Sequence, residues 1–131
     1  MTIILVKESI TVLKHLKQMV EECYPDSIIS TFSSADEALE TIKKNGMQID
    51  LCFTEIMMRG TSGFRIVEEL HRRNRRAKTV LIAQNKDYTL EGWRVGVNDY
   101  LIEPLTIESI RHAQLSCSYW VVHCDEKRCC K

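Results

Sequence analysis

The run Thr2-Ile3-Ile4-Leu5-Val6 constrains this chain more than any other stretch, because it is uninterrupted by charge and rich in β-branched side chains. Successive side chains of a strand point to opposite faces, so a strand that is apolar throughout must be covered on both. A parallel sheet sandwiched between helices meets that demand. The run stops at Lys7-Glu8, far short of the roughly 20 apolar residues of a membrane span and of a signal-peptide core. A cytoplasmic protein without a membrane partner is expected.

The remaining chain alternates in the same sense. Ser9 is placed to cap a helix whose Leu13, Leu16, Val20 and Cys23 recur at three and four residues, one buried face. Tyr24-Pro25-Asp26 ends it. Ser27 to Phe32 reads as a second strand, and Ser34 caps a helix carrying Ala35, Ala38, Leu39 and Ile42 until Asn45-Gly46. A third strand spans Asp50 to Glu55, followed by a loop with Gly60 and Gly63. The third helix presents Phe64, Val67 and Leu70 and closes with His71-Arg72-Arg73-Asn74-Arg75-Arg76, cations suited to the negative pole of a helix. Thr79 to Ala83 is a fourth strand, Asp87 caps a short helix running through Trp93, and Asn98 to Ile102 is a fifth strand. Thr106 opens a last helix with Ile110, Ala113, Cys117 and Val121 on one face. Five strands alternating with five helices through short loops predict an α/β fold, a parallel sheet doubly wound by helices. One domain over residues 1–122 is expected, with residues 123–131 as a charged, Cys-rich tail.

With 18 basic and 18 acidic residues, net charge selects no partner of one sign. Cys23, Cys52 and Cys117 fall on apolar faces, where a thiol acts as a small hydrophobe. His123, Cys124, Cys129 and Cys130 form one cluster without the second ligand pair of a zinc site, so an exposed, oxidation-prone tail is expected. Arg72, Arg73, Arg75, Arg76 and Lys78 offer a nucleic-acid alternative, since basic clusters drive phosphate binding. No aromatic residues interleave with them, and a solvated helix end is the expected role.

Three segments together resemble the receiver domain of two-component response regulators. Ile3-Ile4-Leu5-Val6 with Lys7-Glu8 is similar to its first strand and acidic pair. Asp50 through Gly63 resembles its phosphorylation-site strand and loop, and Gly96 through Leu105 resembles its fifth strand and Lys-Pro turn. The resemblance runs from about Thr2 to Val121 and implies a flavodoxin-like sheet of order 2-1-3-4-5. Asp87 through Trp93 is similar to receivers of the LytTR branch. In such domains two acids and an acceptor Asp hold magnesium, while a hydroxyl and a Lys contact the phosphoryl group. The resemblance maps the acidic pair to Lys7 and Glu8, the phospho-acceptor position to Glu55, the hydroxyl position to Ala83, the Lys position to Glu103, the turn proline to Pro104 and the switch aromatic to Tyr100.

Each departure has a chemical consequence. Glu55 carries its carboxylate about one methylene beyond the position of an Asp, out of line for attack on a phosphodonor. Lys7 puts a cation where magnesium wants oxygen ligands, so Glu8 and Glu55 are weak metal candidates and no cofactor is expected. Ala83 has no hydroxyl to offer, and Glu103 repels a phosphoryl group. With Glu8, Glu55 and Glu103 converging on the strand ends, Lys7 is expected to pair with Glu55. The implied function is a receiver-like signalling domain, not an enzyme, that works through protein partners: a histidine kinase, a response regulator or an output protein. A homodimer is expected through the face of the fourth helix, fifth strand and fifth helix, where Tyr100 keeps one rotamer near Trp93 and Leu105. The alternative is a receiver that still accepts a phosphoryl group.

Overall fold

The computed structural model describes residues 1–117. The strands are β1 Thr2–Val6, β2 Ile28–Phe32, β3 Leu51–Glu55, β4 Lys78–Ala83 and β5 Asp99–Ile102. Between them run α1 Ile10–Cys23, α2 Ala35–Asn45, α3 Gly63–Arg73 and α4 Thr89–Val95, with a 3-10 turn at Gly46–Gln48. Residues 107–117 are helical and are called α5. All four strand pairings are parallel, in the order β2-β1-β3-β4-β5, the doubly wound arrangement expected.

The opening run does what its composition demands. Ile3 and Leu5 pack on one side of the sheet with Leu13, Leu16 and Val20 of α1 and with Ile110 and Ala113 of α5. Ile4 and Val6 pack on the other with Ala38 and Ile42 of α2 and Ile66 and Leu70 of α3. All four are at most 1% exposed, and each contributes about 1.5–3 kcal/mol by leaving water. Cys52 and Cys117 are buried and Cys23 is half-buried, all three as free thiols. Burial pushes the Cys117 thiol up to about 12, which keeps it protonated and inert.

Some local expectations need correction. The buried stripe of α3 includes Ile66, while Phe64 is only half-buried and joins a smaller cluster of Ile56, Val67, Leu81 and Val97. Asp87 does not cap α4: the helix opens at Thr89 after Tyr88, without a side-chain cap. The Asp87 N–H instead donates to Asn85 Oδ1 at 2.9 Å, a local Asx turn that takes over the backbone there. At its other end α4 stops on Gly96, whose φ of +86° is open to glycine at little cost. Ser9 does cap α1, accepting from the Val12 N–H at 3.4 Å; Ser34 makes no such bond. Val121, His123, Cys124, Cys129 and Cys130 lie outside the described residues. Among the described residues no helix is long and apolar enough to cross a membrane.

Candidate functional site

Parallel strands in register bring their carboxyl ends to one rim, the place where open α/β sheets bind ligands. Val6 lies beside Thr54, Glu55 beside Ile82, and Ala83 beside Ile102, so the residues that follow β1 and β5 reach the rim together with Glu55. The Lys7 N–H continues the pairing to the Phe32 carbonyl at 3.0 Å, and the Glu103 N–H continues it to the Ala83 carbonyl at 2.8 Å. The backbone therefore sets the positions of both charges.

Lys7 is the centre of the site. Its side chain is 9% exposed, and Nζ donates to Glu55 Oε2 at 2.9 Å, the pair expected from the sequence. A second carboxylate is as close: Nζ lies 2.7 Å from Glu103 Oε1. That contact is a close ion pair, and Oε1 has no other hydrogen-bond partner. Burial by itself pulls the Lys7 pKa down; the Glu103 and Glu55 carboxylates outweigh it and hold the pKa above its ordinary value. Lys7 is thus charged. Strand-by-strand reading missed Glu103 as a partner because β1 and β5 are separated in the sheet by β3 and β4. Only the reach of a lysine stem and the shared rim connect them.

Glu55 is engaged through both oxygens. Besides Lys7, it accepts the Glu8 N–H on Oε1 at 2.6 Å. The Glu8 side chain does not converge on Glu55 as expected; its Oε2 accepts the Arg59 N–H at 2.8 Å. The loop after β3 offered that donor, and satisfying it separates two carboxylates that would repel. Gly63 fixes the return of this loop. A Cβ there would stand 2.2 Å from the Glu55 carbonyl oxygen, and the Gly63 N–H donates to the Ile56 carbonyl at 2.8 Å.

A cavity of about 290 Å³ opens beside the triad, lined by Lys7, Glu55, Ala83, Asn85, Tyr88 and Glu103. The Ala83 methyl offers it no polar group. Tyr100 is half-buried, and its hydroxyl donates to the Asn85 carbonyl at 2.9 Å. Trp93 is 50% exposed on α4. Leu105 does not join it: it packs on the α1 and α5 side of the sheet, in the cluster that holds Leu16, Ile110 and Ala113. Among the described residues, no group of three or more His, Cys, Asp or Glu is arranged to hold a metal.

The basic cluster is partly consumed internally. Arg72 Nη1 and Arg73 Nε each lie 3.1 Å from an oxygen of Glu69, which is 6% exposed and whose pKa is lowered, chiefly by Arg73. Glu69 went unread because it interrupts the apolar stripe of α3.

A five-stranded, doubly wound parallel sheet with its charged residues gathered at the strand ends defines a receiver-type signalling domain. The family model of the response regulator receiver domain matches residues 3–114, and the chain belongs to that family. It is 28% identical over 113 residues to two-component response regulator ORR21 of Oryza sativa subsp. indica, covering 86% of this chain and 16% of that protein. Regulatory protein VanR of Enterococcus faecium is 33% identical over 76 residues, 56% of this chain and 31% of that protein. The chain therefore spans 16% of the length of the rice regulator it matches. Among solved structures, a receiver domain protein from Clostridium thermocellum superposes with a TM-score of 0.78 at 21% identity, over 92% of this chain and 97% of that one. A two-component response regulator from Clostridium difficile gives 0.72 at 26% identity, over 87% and 91%. The chain is a receiver domain of two-component signalling.

Proposed function

We propose that this receiver acts by protein–protein recognition in one fixed state, without a phosphorylation cycle and without enzymatic activity. One observation carries the proposal: the carboxylate at the acceptor position, Glu55, is already occupied on both oxygens, by Lys7 Nζ at 2.9 Å and the Glu8 N–H at 2.6 Å. Attack on a phosphodonor would require breaking both bonds and displacing a buried ammonium. The residues do not fit magnesium either. An octahedral ion needs oxygen ligands close to 2.0–2.1 Å, whereas a cation already holds Glu55 and Glu103, and Glu8 is turned to Arg59. Ala83 supplies no hydroxyl, and Glu103 sets a negative charge where the family places a lysine. The stretch Asp87 to Trp93 supports placing the chain near the LytTR branch, and its setting is cytoplasmic.

Incubation with acetyl phosphate and millimolar magnesium should leave the intact mass unchanged. A stoichiometric gain of one phosphoryl group, lost on Glu55→Gln, would establish the alternative of residual acceptance.

The partner surface in this proposal is the face of α4, β5 and α5. Leu90 is 60% and Trp93 50% exposed on α4, one helical turn apart, and contiguous exposed apolar side chains mark interaction surfaces. The occupant is a second copy of this chain or a response-regulator partner. Light scattering at high concentration should detect a dimer with no phosphodonor, weakened by Arg94→Glu or Arg111→Glu. A strictly monomeric protein would eliminate self-association and leave a different protein as occupant.

A further inference from the structure

Glu103 stands between two cavities. On one side it lines the strand-end crevice with Lys7 and Glu55. On the other, with Pro104 and Leu105, it lines a groove of about 670 Å³ whose opposite wall is α1, through Thr11, Val12 and Met19. Lys7 touches the crevice and not the groove. Glu103, at the head of the turn Glu103-Pro104-Leu105, and Gln84 after β4 line both cavities; of the two, Glu103 carries the charge, and the ammonium at 2.7 Å from its Oε1 ties the turn to β1 and β3.

We propose that Lys7 is a latch: its charge holds the Glu103-Pro104-Leu105 turn against the sheet and thereby sets the width of the groove beside α1. The backbone of the turn is tied to the sheet at Glu103, through the 2.8 Å bond to the Ala83 carbonyl. The tie at the Glu103 side chain is the ammonium of Lys7, since Oε1 has no other partner. Freed of that cation, Oε1 is a buried carboxylate oxygen with an uncompensated charge next to Glu55. A buried, unpaired charge is costly enough to drive the side chain out toward water, and Pro104 and Leu105 move with it. Because coupling between two sites is reciprocal, any displacement of the turn from the groove side must also loosen Lys7 in the crevice. The latch concerns the tie of Lys7 to Glu103 and the groove beside α1, and so goes beyond the function proposed above.

Peptide-resolved hydrogen exchange on the full chain reads the latch directly. Lys7→Met should speed exchange of the segment from Glu103 to Ser109 on the order of tenfold or more, as for a local opening. Segments in α2 and α3 should show only the acceleration that the loss of global stability imposes on the whole chain, and the segment from Glu103 to Ser109 should exceed it. The methyl resonances of Met19 and Leu105, which line the groove that Lys7 does not touch, should shift. Glu103→Gln should speed the same segment, and the double variant should add little to either single one. An equal acceleration throughout the chain would mean that Lys7 serves only global stability and would overturn the latch. So would unmoved groove methyls. Should Lys7→Met fail to fold, the same pattern is to be sought in Glu103→Gln alone, with the same outcomes deciding.

Discussion

Replacing Lys7 by Met should cost about 3–5 kcal/mol of stability at neutral pH, the range for breaking a buried pair from one side. Exposed ion pairs contribute about 0–1 kcal/mol, so burial decides which regime applies; the side chains of Lys7, Glu55 and Glu103 are 9%, 14% and 19% exposed. Met keeps the apolar stem and removes only the charge, leaving Glu55 and Glu103 facing each other. Because single domains are stable by only about 5–15 kcal/mol, chemical denaturation should register the loss as a large fall in midpoint. Adding Glu55→Gln or Glu103→Gln should restore part of it, with coupling energies of about 0.5–3 kcal/mol in double-mutant cycles. The pH dependence follows from the raised pKa of Lys7. Its stabilisation is fully present below the ordinary lysine value of 10.5 and disappears as pH rises through the higher folded value. The gap between the parent chain and Lys7→Met should therefore stay level from pH 6 to 9 and close only in strong alkali. Equal stability at pH 7, or a gap already closing at pH 8, would show that the pair is not the buried clamp described above.

Much of the fold was legible because apolar period and chain stops agree at every level. The uninterrupted β1, the three-and-four spacing of α1 and the Gly turns all point to one layered sheet, and burial follows them at Ile3 to Val6 and at Leu13, Leu16 and Val20. The site was legible in composition but only partly in geometry. Lys7 and Glu55 follow or end neighbouring strands, so their pairing can be anticipated from strand order. The second contact, to Glu103, joins strands three places apart in the sheet and depends on the length of one side chain. Glu8 was misplaced for a different reason: a backbone N–H at Arg59, invisible in any side-chain pattern, claims its carboxylate. Glu69 escaped because a buried acid within a helical stripe reads as a break in the stripe until its two arginines are placed beside it. Periodicity reports which residues leave water; the backbone donors and long side chains that settle a polar site do not share that period.

Exchanging the two charges should give the chain a divalent-cation site that the parent is expected to lack. In the parent chain, millimolar magnesium is expected to leave the melting temperature unchanged, since the Lys7 ammonium already holds the Glu55 and Glu103 carboxylates. In the Lys7→Asp, Glu103→Lys double variant the cation moves to the β5 side, and the β1 side presents an introduced carboxylate beside Glu8 and Glu55. That arrangement restores the family's pattern of acids after the first and third strands, and gives a hard cation the oxygen ligands it requires. Ligands that bind only the native state stabilise it by RT ln(1 + [L]/Kd), about 2.7 kcal/mol at a hundredfold excess over Kd. A domain of this size would then melt roughly 5–15 °C higher with saturating magnesium, taking roughly 2–6 °C for each kcal/mol. Lys7→Asp alone should be the least stable chain without metal, because three or more carboxylates then share the rim with no counter-ion, and it should gain the most from magnesium. Calcium, with longer bonds and looser geometry, should bind to both variants at least as well. Thermal melts with and without each ion, checked by calorimetric titration, decide the matter. A well-folded double variant whose melting temperature ignores both ions would show that the extra methylene of Glu55, and not the ammonium of Lys7, is what keeps metal out of this receiver.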